Sequence, residues 1–276
     1  MESAQSVRVS EPPARLPRIS LGELWQQRDL VYLLARRDIA VRYKQAAIGT
    51  FWAILQPVFL AVVFSLFFGA LQKVEAPEGI PYPLFAVSGM VMWLFFANAM
   101  QTCSESTTAS AQLISKVYFP RMAIPIAAIA PAALDFAIGF VVVVVVTLAY
   151  GFSLQIQLLL LPVVAALALA TALGIGLWLS ALNVKYRDVH LLVPFVILVG
   201  LFMSPIIYPF DLVPEHLQPL YALNPMVGVL EAYRWMLLGT DWPGTLMLIP
   251  IAASLILTVT GAVYFRKAEQ VFADVI

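Results

Sequence analysis

IPIAAIAPAALDFAIGFVVVVVVTLAY, residues Ile124–Tyr150, carries one charged side chain, Asp135, in a run long enough to cross a bilayer. A hydrocarbon core about 30 Å thick is spanned by roughly 20 apolar residues in a helix. Five further apolar runs flank it: Ala46–Leu71, Leu84–Met100, Leu158–Leu182, Leu191–Tyr208 and Thr245–Phe265. Each meets or approaches the required length. In lipid every backbone N–H and C=O needs a partner, and a helix supplies them within the segment. The pattern predicts an all-α integral membrane protein with six transmembrane helices. Composition agrees, with 62% hydrophobic residues, 12% charged residues and a mean hydropathy of +0.89, far from an ordinary soluble domain.

The formal net charge is zero, but the basic residues are placed unevenly. With the N-terminus in the cytoplasm, the N-terminal arm contributes eight of them, including Arg36, Arg37, Arg42 and Lys44. The other inner segments add Lys116 and Arg121, Lys185 and Arg187, and Arg266 and Lys267, leaving only Lys73 and Arg234 outside. The positive-inside rule then places both termini in the cytoplasm. The first forty-odd residues lack a short apolar core before a small-residue cleavage site, so no signal peptide is expected. The single Cys103 rules out an intrachain disulfide.

Along the chain, residues 1–20, with Pro12, Pro13 and Pro17, read as a flexible cytoplasmic tail. Residues 21–45 read as a basic amphipathic helix in the membrane interface, with Leu30, Leu33, Leu34 and Val41 on one arc. Residues 46–276 form the six-span domain. The cytoplasmic segment Ser104–Arg121 turns from polar to basic and aromatic, ending in Lys116, Tyr118, Phe119, Pro120 and Arg121. Between spans five and six, Pro209–Pro243 holds apolar pieces too short to cross and reads as short re-entrant or interfacial outer helices. Such backbone is tolerated at membrane depth where protein buries it or it lines a cavity.

There is no G-x-x-x-x-G-K-[ST] phosphate loop, no H-E-x-x-H, and no metal-ligand cluster around His190 and His216. Any nucleotide chemistry therefore belongs to another chain. Asp135 inside the third span and Glu105 near the inner end of the second are the intramembrane carboxylates, functional hypotheses by default. No intramembrane His or Lys accompanies them, which favours a polar contact between helices over a proton relay. Glu231 and Arg234, at i and i+3, can meet on one helix face. That spacing fits both a surface ion pair and a pair holding an outer gate shut. Phe51, Trp52, Tyr82, Trp93 and Phe96 are candidates for stacking on sugar C–H faces in a pore; ordinary packing and interface anchoring use the same residue types.

Six stretches together carry a resemblance. They are LLARRDIAVRYKQAAIGTFW at Leu33–Trp52, SKVYFPR at Ser115–Arg121, NVKYRDV at Asn183–Val189, SPIIYP at Ser204–Pro209, NPMVGVLEAYR at Asn224–Arg234 and FRKAEQVFAD at Phe265–Asp274. In this order, and over nearly everything after residue 20, the chain resembles the membrane permease subunit of ABC-2 type polysaccharide exporters. That group moves O-antigen, capsule and teichoic-acid polymers. The resemblance implies a homodimer of six-span halves bound to two copies of a separate ABC ATPase. ATP and Mg would be bound by that partner, with no cofactor in this chain. It also implies a cytoplasmic coupling helix between spans two and three, with Lys116, Tyr118, Phe119, Pro120 and Arg121 at its exit. Tyr208, Glu231 and Arg234 would belong to the outer gate. Arg37, Asp38, Arg42 and Tyr43 would stand at the cytoplasmic entrance for a lipid-linked polysaccharide. There guanidinium groups match a pyrophosphate, although attraction to membrane lipids accounts for the same arginines. O-antigen is the first expectation because of the long polar N-terminal arm, and the location is the bacterial inner membrane. The other readings are a proton-coupled secondary transporter working through Asp135 or Glu105, an ABC-2 exporter of another substrate such as a lipid or drug, and a membrane transferase using Asp188 and His190. No nucleic-acid partner is expected.

Overall fold

The computed structural model describes residues 21–44, 49–74, 76–77, 79–116, 119–186, 188–242, 244–270 and 272. The tail 1–20 and Tyr118 lie outside the described residues. Every regular element among those described is helical. Five helical segments are long and apolar enough to cross a membrane: Phe51–Leu71, Tyr82–Ala109, Ala123–Ala149, Ile156–Lys185 and Gly244–Ala268. The protein is a multi-pass membrane protein.

The chain opens with α1 (Leu21–Gln26) and α2 (Arg28–Lys44). The inward face of α2 is narrower than the predicted arc. Leu34, with Leu30 and Val31, packs on Ile114, Phe119, Ala123, Ile124 and Ala127. Leu33 and Val41 are exposed instead, so the apolar packing of α2 is confined to its N-terminal half.

The first span, α3 (Gly49–Phe64), continues into a π-helical turn, Ser65–Leu71, and exposes most of its surface. The second, α4 (Tyr82–Ala109), is the axis of the fold. It packs against α3 and against the later helices Ala123–Ala128, Ala130–Ala149, Leu161–Lys185, Val189–Phe202 and Pro225–Leu238, and is buried on nearly all sides. At 28 residues its length is about 42 Å. The hydropathy reading ends this span at Met100, yet the helix runs on to Ala109. Along that stretch Thr102, Ser104, Ser106 and Thr108 return their hydroxyls to the helix's own carbonyls, so these polar side chains are satisfied without water. The first part of the expected cytoplasmic segment is therefore helix, and only α5 (Ala111–Lys116) follows as a separate short helix.

The third run is two pieces, α6 (Ala123–Ala128) and α7 (Ala130–Ala149). Pro131 at the start of α7 lacks the N–H that would continue the ladder. After a 3₁₀ turn, α8 (Leu161–Lys185) returns beside α4. It approaches α12 (Leu248–Ala268) so closely that a Cβ on Gly261 would lie 2.1 Å from the Gly174 carbonyl oxygen. Thr171 and Ser254 hydrogen-bond across the same seam at 2.8 Å, the small-and-polar packing expected between membrane helices.

The fifth run departs most from expectation. Its helix, α9 (Val189–Phe202), has 14 residues, about 21 Å of rise, against about 30 Å of hydrocarbon. Helix ends after Phe202 because Pro205 and Pro209 interrupt donation, so Tyr208 lies outside any helix. The short α10 (Gln218–Tyr221) and then α11 (Pro225–Leu238) follow. Asn224 caps α11 by accepting from Met226 N at 3.0 Å, and Gly239 ends it with a left-handed φ of 71°. Nearly every residue of α11 is buried, against α4, α8 and α12.

Candidate functional site

A cavity of about 400 Å³ opens where the end of α2 meets α3, α4 and α7. Its wall combines Trp52, Phe95 and Phe136 with Gln56, Asn98 and Asp135. Phe95 and Phe136 stack with centroids 4.4 Å apart and form its apolar floor. Asp135 bridges back to α2, with Arg42 Nη2 2.5 Å from its Oδ2 and the Tyr43 hydroxyl donating to Oδ1. Burial, followed by the hydrogen bond and the charge of Asp135, raises the Tyr43 phenol above its ordinary range. Tyr43 thus stays protonated as the donor. Residues 92 positions apart close one site, and the third span's only carboxylate clasps the interfacial helix. Such a pocket has the size and mix of apolar wall and few polar groups typical of ligand sites.

The second constellation satisfies the broken backbone after α9. Tyr208 OH donates to Phe202 O at 2.8 Å, and Asn224 Nδ2 to Met203 O at 3.0 Å. Ile206 N donates to Ser204 O at 2.7 Å. Arg234 donates to Pro205 O and, at 2.8 Å, to Ile206 O. Tyr82 OH donates to Ile207 O at 2.6 Å. Six consecutive carbonyls are thereby satisfied without water. Arg234 is 1% exposed and lies over the Phe85 ring at 3.6 Å, so the surface ion pair is excluded. Its contact with Glu231 is long, 3.5 Å.

Beside α2, Phe119 is buried against Leu34 and Ile114, and Arg121 donates to the Glu269 carbonyl just beyond α12. Lys116 is exposed and Pro120 half-buried. Arg37 and Asp38 pair with each other at 2.8 Å on the outside of α2, away from the cavity. Glu105 accepts from Gln101 Nε2 at 3.1 Å within α4. Phe51 is exposed, whereas Trp93 and Phe96 are buried in the protomer core with ring centroids 5.2 Å apart. The 2.8 Å that a Cβ on Gly200 would leave to Trp93 shows where α9 seats on α4.

Sequence reasoning missed Gln56 and Asn98, although each is an isolated polar residue in an apolar run, the same signal that singled out Asp135. It also missed Asn224 as the partner of the broken segment.

Fold and site define a polytopic helical membrane protein with a cavity clasped by α2 and one helix broken short within the bundle. Residues 29–238 match the family described as ABC-2 type transporter. The chain belongs to that family and is the membrane subunit of a transporter. It is 27% identical over 258 residues to the "O-antigen export system permease protein RfbA" of Klebsiella pneumoniae, covering 93% of this chain and 97% of that protein. It is 26% identical over 255 residues to the protein of the same name from Myxococcus xanthus, covering 91% and 97%.

Proposed function

We propose that this chain is the channel-forming half of an ATP-driven exporter that carries a lipid-linked polysaccharide, O-antigen in the first instance, across the bacterial inner membrane. Two copies pair, and each binds one copy of a separate ABC ATPase carrying the ATP and Mg. Both termini are cytoplasmic. Helix α9 serves as a short sixth crossing, completed by the broken segment and the re-entrant α11. The observation that carries the reading is similarity, nearly end to end, to permeases named for O-antigen export.

The geometry supplies the division of labour. The clasped cavity has the aromatic, amide and carboxylate groups that meet a sugar, and Arg42 beside it suits the phosphate of a lipid carrier. Helix α2 touches both that cavity and the α5–α6 region expected to meet the ATPase. Movement of the coupling region is thus transmitted to the entrance through Leu34 on one side and Arg42 on the other. The domain boundaries of the tail, interfacial helix and transmembrane region belong to the same proposal.

The test is purification from native membranes with an ATPase assay, together with deletion of the gene for this chain. A stoichiometric ATPase partner, and loss of surface polymer with build-up of its lipid-linked form inside, are expected. Deletion that leaves the surface polymer intact refutes the substrate assignment, and absence of an ATPase refutes the drive.

A further inference from the structure

A second cavity, of about 570 Å³, lies beside the broken segment, between the loop after α3, the chain around Phe210 and the link from α11 to α12. Its wall carries the carboxylates of Asp211, Glu231 and Asp241, the Gln218 amide, the Thr240 hydroxyl and the Trp242 indole. Asp211, Asp241 and Trp242 are exposed and reachable. Trp242 is held edge-on by Trp235, with centroids 4.9 Å apart and planes at 66°. Two buried polar atoms at the cavity, Thr240 Oγ1 and Arg234 Nε, have no hydrogen-bond partner.

The chemistry selects the ligand. Three carboxylates against one already engaged guanidinium disfavour an anion. No group of three or more His, Cys, Asp or Glu among the described residues is placed to hold a metal ion. Carboxylates and an amide are strong partners for hydroxyl donors, and a fixed indole offers an apolar face beside them. That combination fits a neutral, hydroxyl-rich pyranose ring, and the volume is that of a ligand pocket. We propose that this cavity is an exit subsite that holds a saccharide unit of the passing polymer, with Trp242 as its platform and Asp241, Asp211 and Gln218 as its hydroxyl partners. The proposal rests on the polysaccharide-exporter reading and adds a binding site on the outer side of the gate.

The test uses the whole transporter in cells that make the polymer and in cells whose synthesis of it is blocked, with a membrane-impermeant maleimide as probe. Cys103 is fully buried, so an introduced thiol reports alone. Leu246→Cys sits in the cavity wall, and Ile80→Cys reports from the opposite wall if the first is not inserted. Ser153→Cys, on the turn before α8, is the control. Labelling at the cavity is expected to slow about tenfold when polymer is made, as occupancy of about nine-tenths of the sites requires. Ser153→Cys should be unaffected. Trp242→Ala should remove the protection and Trp242→Phe restore it. Equal rates with and without polymer overturn the subsite while leaving export itself standing. Labelling of Ser153→Cys only after permeabilisation overturns the membrane orientation, and the subsite with it.

Discussion

Replacing Arg234 by Met tests whether one side chain holds the broken segment together. The Met variant keeps an apolar body over Phe85 but leaves the carbonyls of Pro205 and Ile206 without donors. Each orphaned buried carbonyl costs about 1–3 kcal/mol, and the lost stacking of the cation on Phe85 adds about 1–2 kcal/mol. Replacing a buried charge by an apolar group can return about 1–4 kcal/mol when both partners are replaced, but here the carbonyls remain. A net loss of about 3 kcal/mol is expected, which for a chain of this size lowers Tm by about 6–12 °C. The assay is built in: Cys103 is the only thiol and is fully buried, so a thiol-reactive fluorogenic dye in a thermal ramp reports unfolding. Arg234→Lys should lose nearly as much, because a single ammonium cannot reproduce a planar fork aimed at two carbonyls. Glu231→Gln should change little, because its contact is 3.5 Å and at the margin of a hydrogen bond. A shift below about 2 °C for the Met variant, or full retention by Lys, would refute the reasoning.

Three further outcomes are expected. Leu34→Ala should cost about 2–5 kcal/mol by opening a hole between α2, Ile114 and Phe119; the check is faster protease cleavage at α2 together with ATPase turnover uncoupled from export. Asp135→Asn should weaken the attachment of α2 by about 1–2 kcal/mol, discounted because Arg42 is 35% exposed. It should leave ATPase binding intact, and unchanged proteolysis of α2 would contradict it. Gly261→Leu should prevent α12 from seating on α8, where even a Cβ meets a carbonyl at 2.1 Å; a melting point within about 2 °C of the parent would show that the seam can move apart.

The helical membrane class was legible because the bilayer sets a length and hydropathy marks it. Where hydropathy and hydrogen bonding part company, the reading slipped. The end of α4 carries Thr102, Ser104, Ser106 and Thr108, polar residues that satisfy themselves on their own helix. The run Leu191–Tyr208 is apolar throughout, yet its last six residues are not helical, since two prolines remove donors and partners arrive from α4 and α11. Those partners are 20 to 125 positions away in sequence, so no local pattern announces them. The site was half legible for the same reason. Asp135 was picked out by its charge in a span, Arg42 and Tyr43 through the resemblance as entrance residues, and Trp52 as a candidate pore aromatic. That they share one cavity follows from how α2 lies across α7, which sequence spacing does not encode. Trp93 and Phe96 show the converse: aromatic identity marks bulk, and only the packing of α9 on α4 decides that they are core.

The two ends of the protomer differ in the kind of partner a guanidinium meets, and the difference separates structure from function. Arg234 is fully buried and bound to backbone carbonyls. No solute can replace a carbonyl that is part of the chain, so this contact acts as a fixed fastening. Arg42 is partly exposed and bound to a carboxylate at the rim of a cavity. An incoming phosphate accepts from the same guanidinium, so it competes with Asp135 without leaving the arginine unpaired. When it wins, Asp135 keeps its hydrogen bond from Tyr43, and the helix stays attached by its apolar face at Leu34. Exchange at Arg42 is therefore inexpensive, while rearrangement at Arg234 requires several carbonyls to find new donors together. Under the exporter reading this places substrate capture at the clasped cavity and reserves the larger barrier, the one that needs ATP, for the break beside α11.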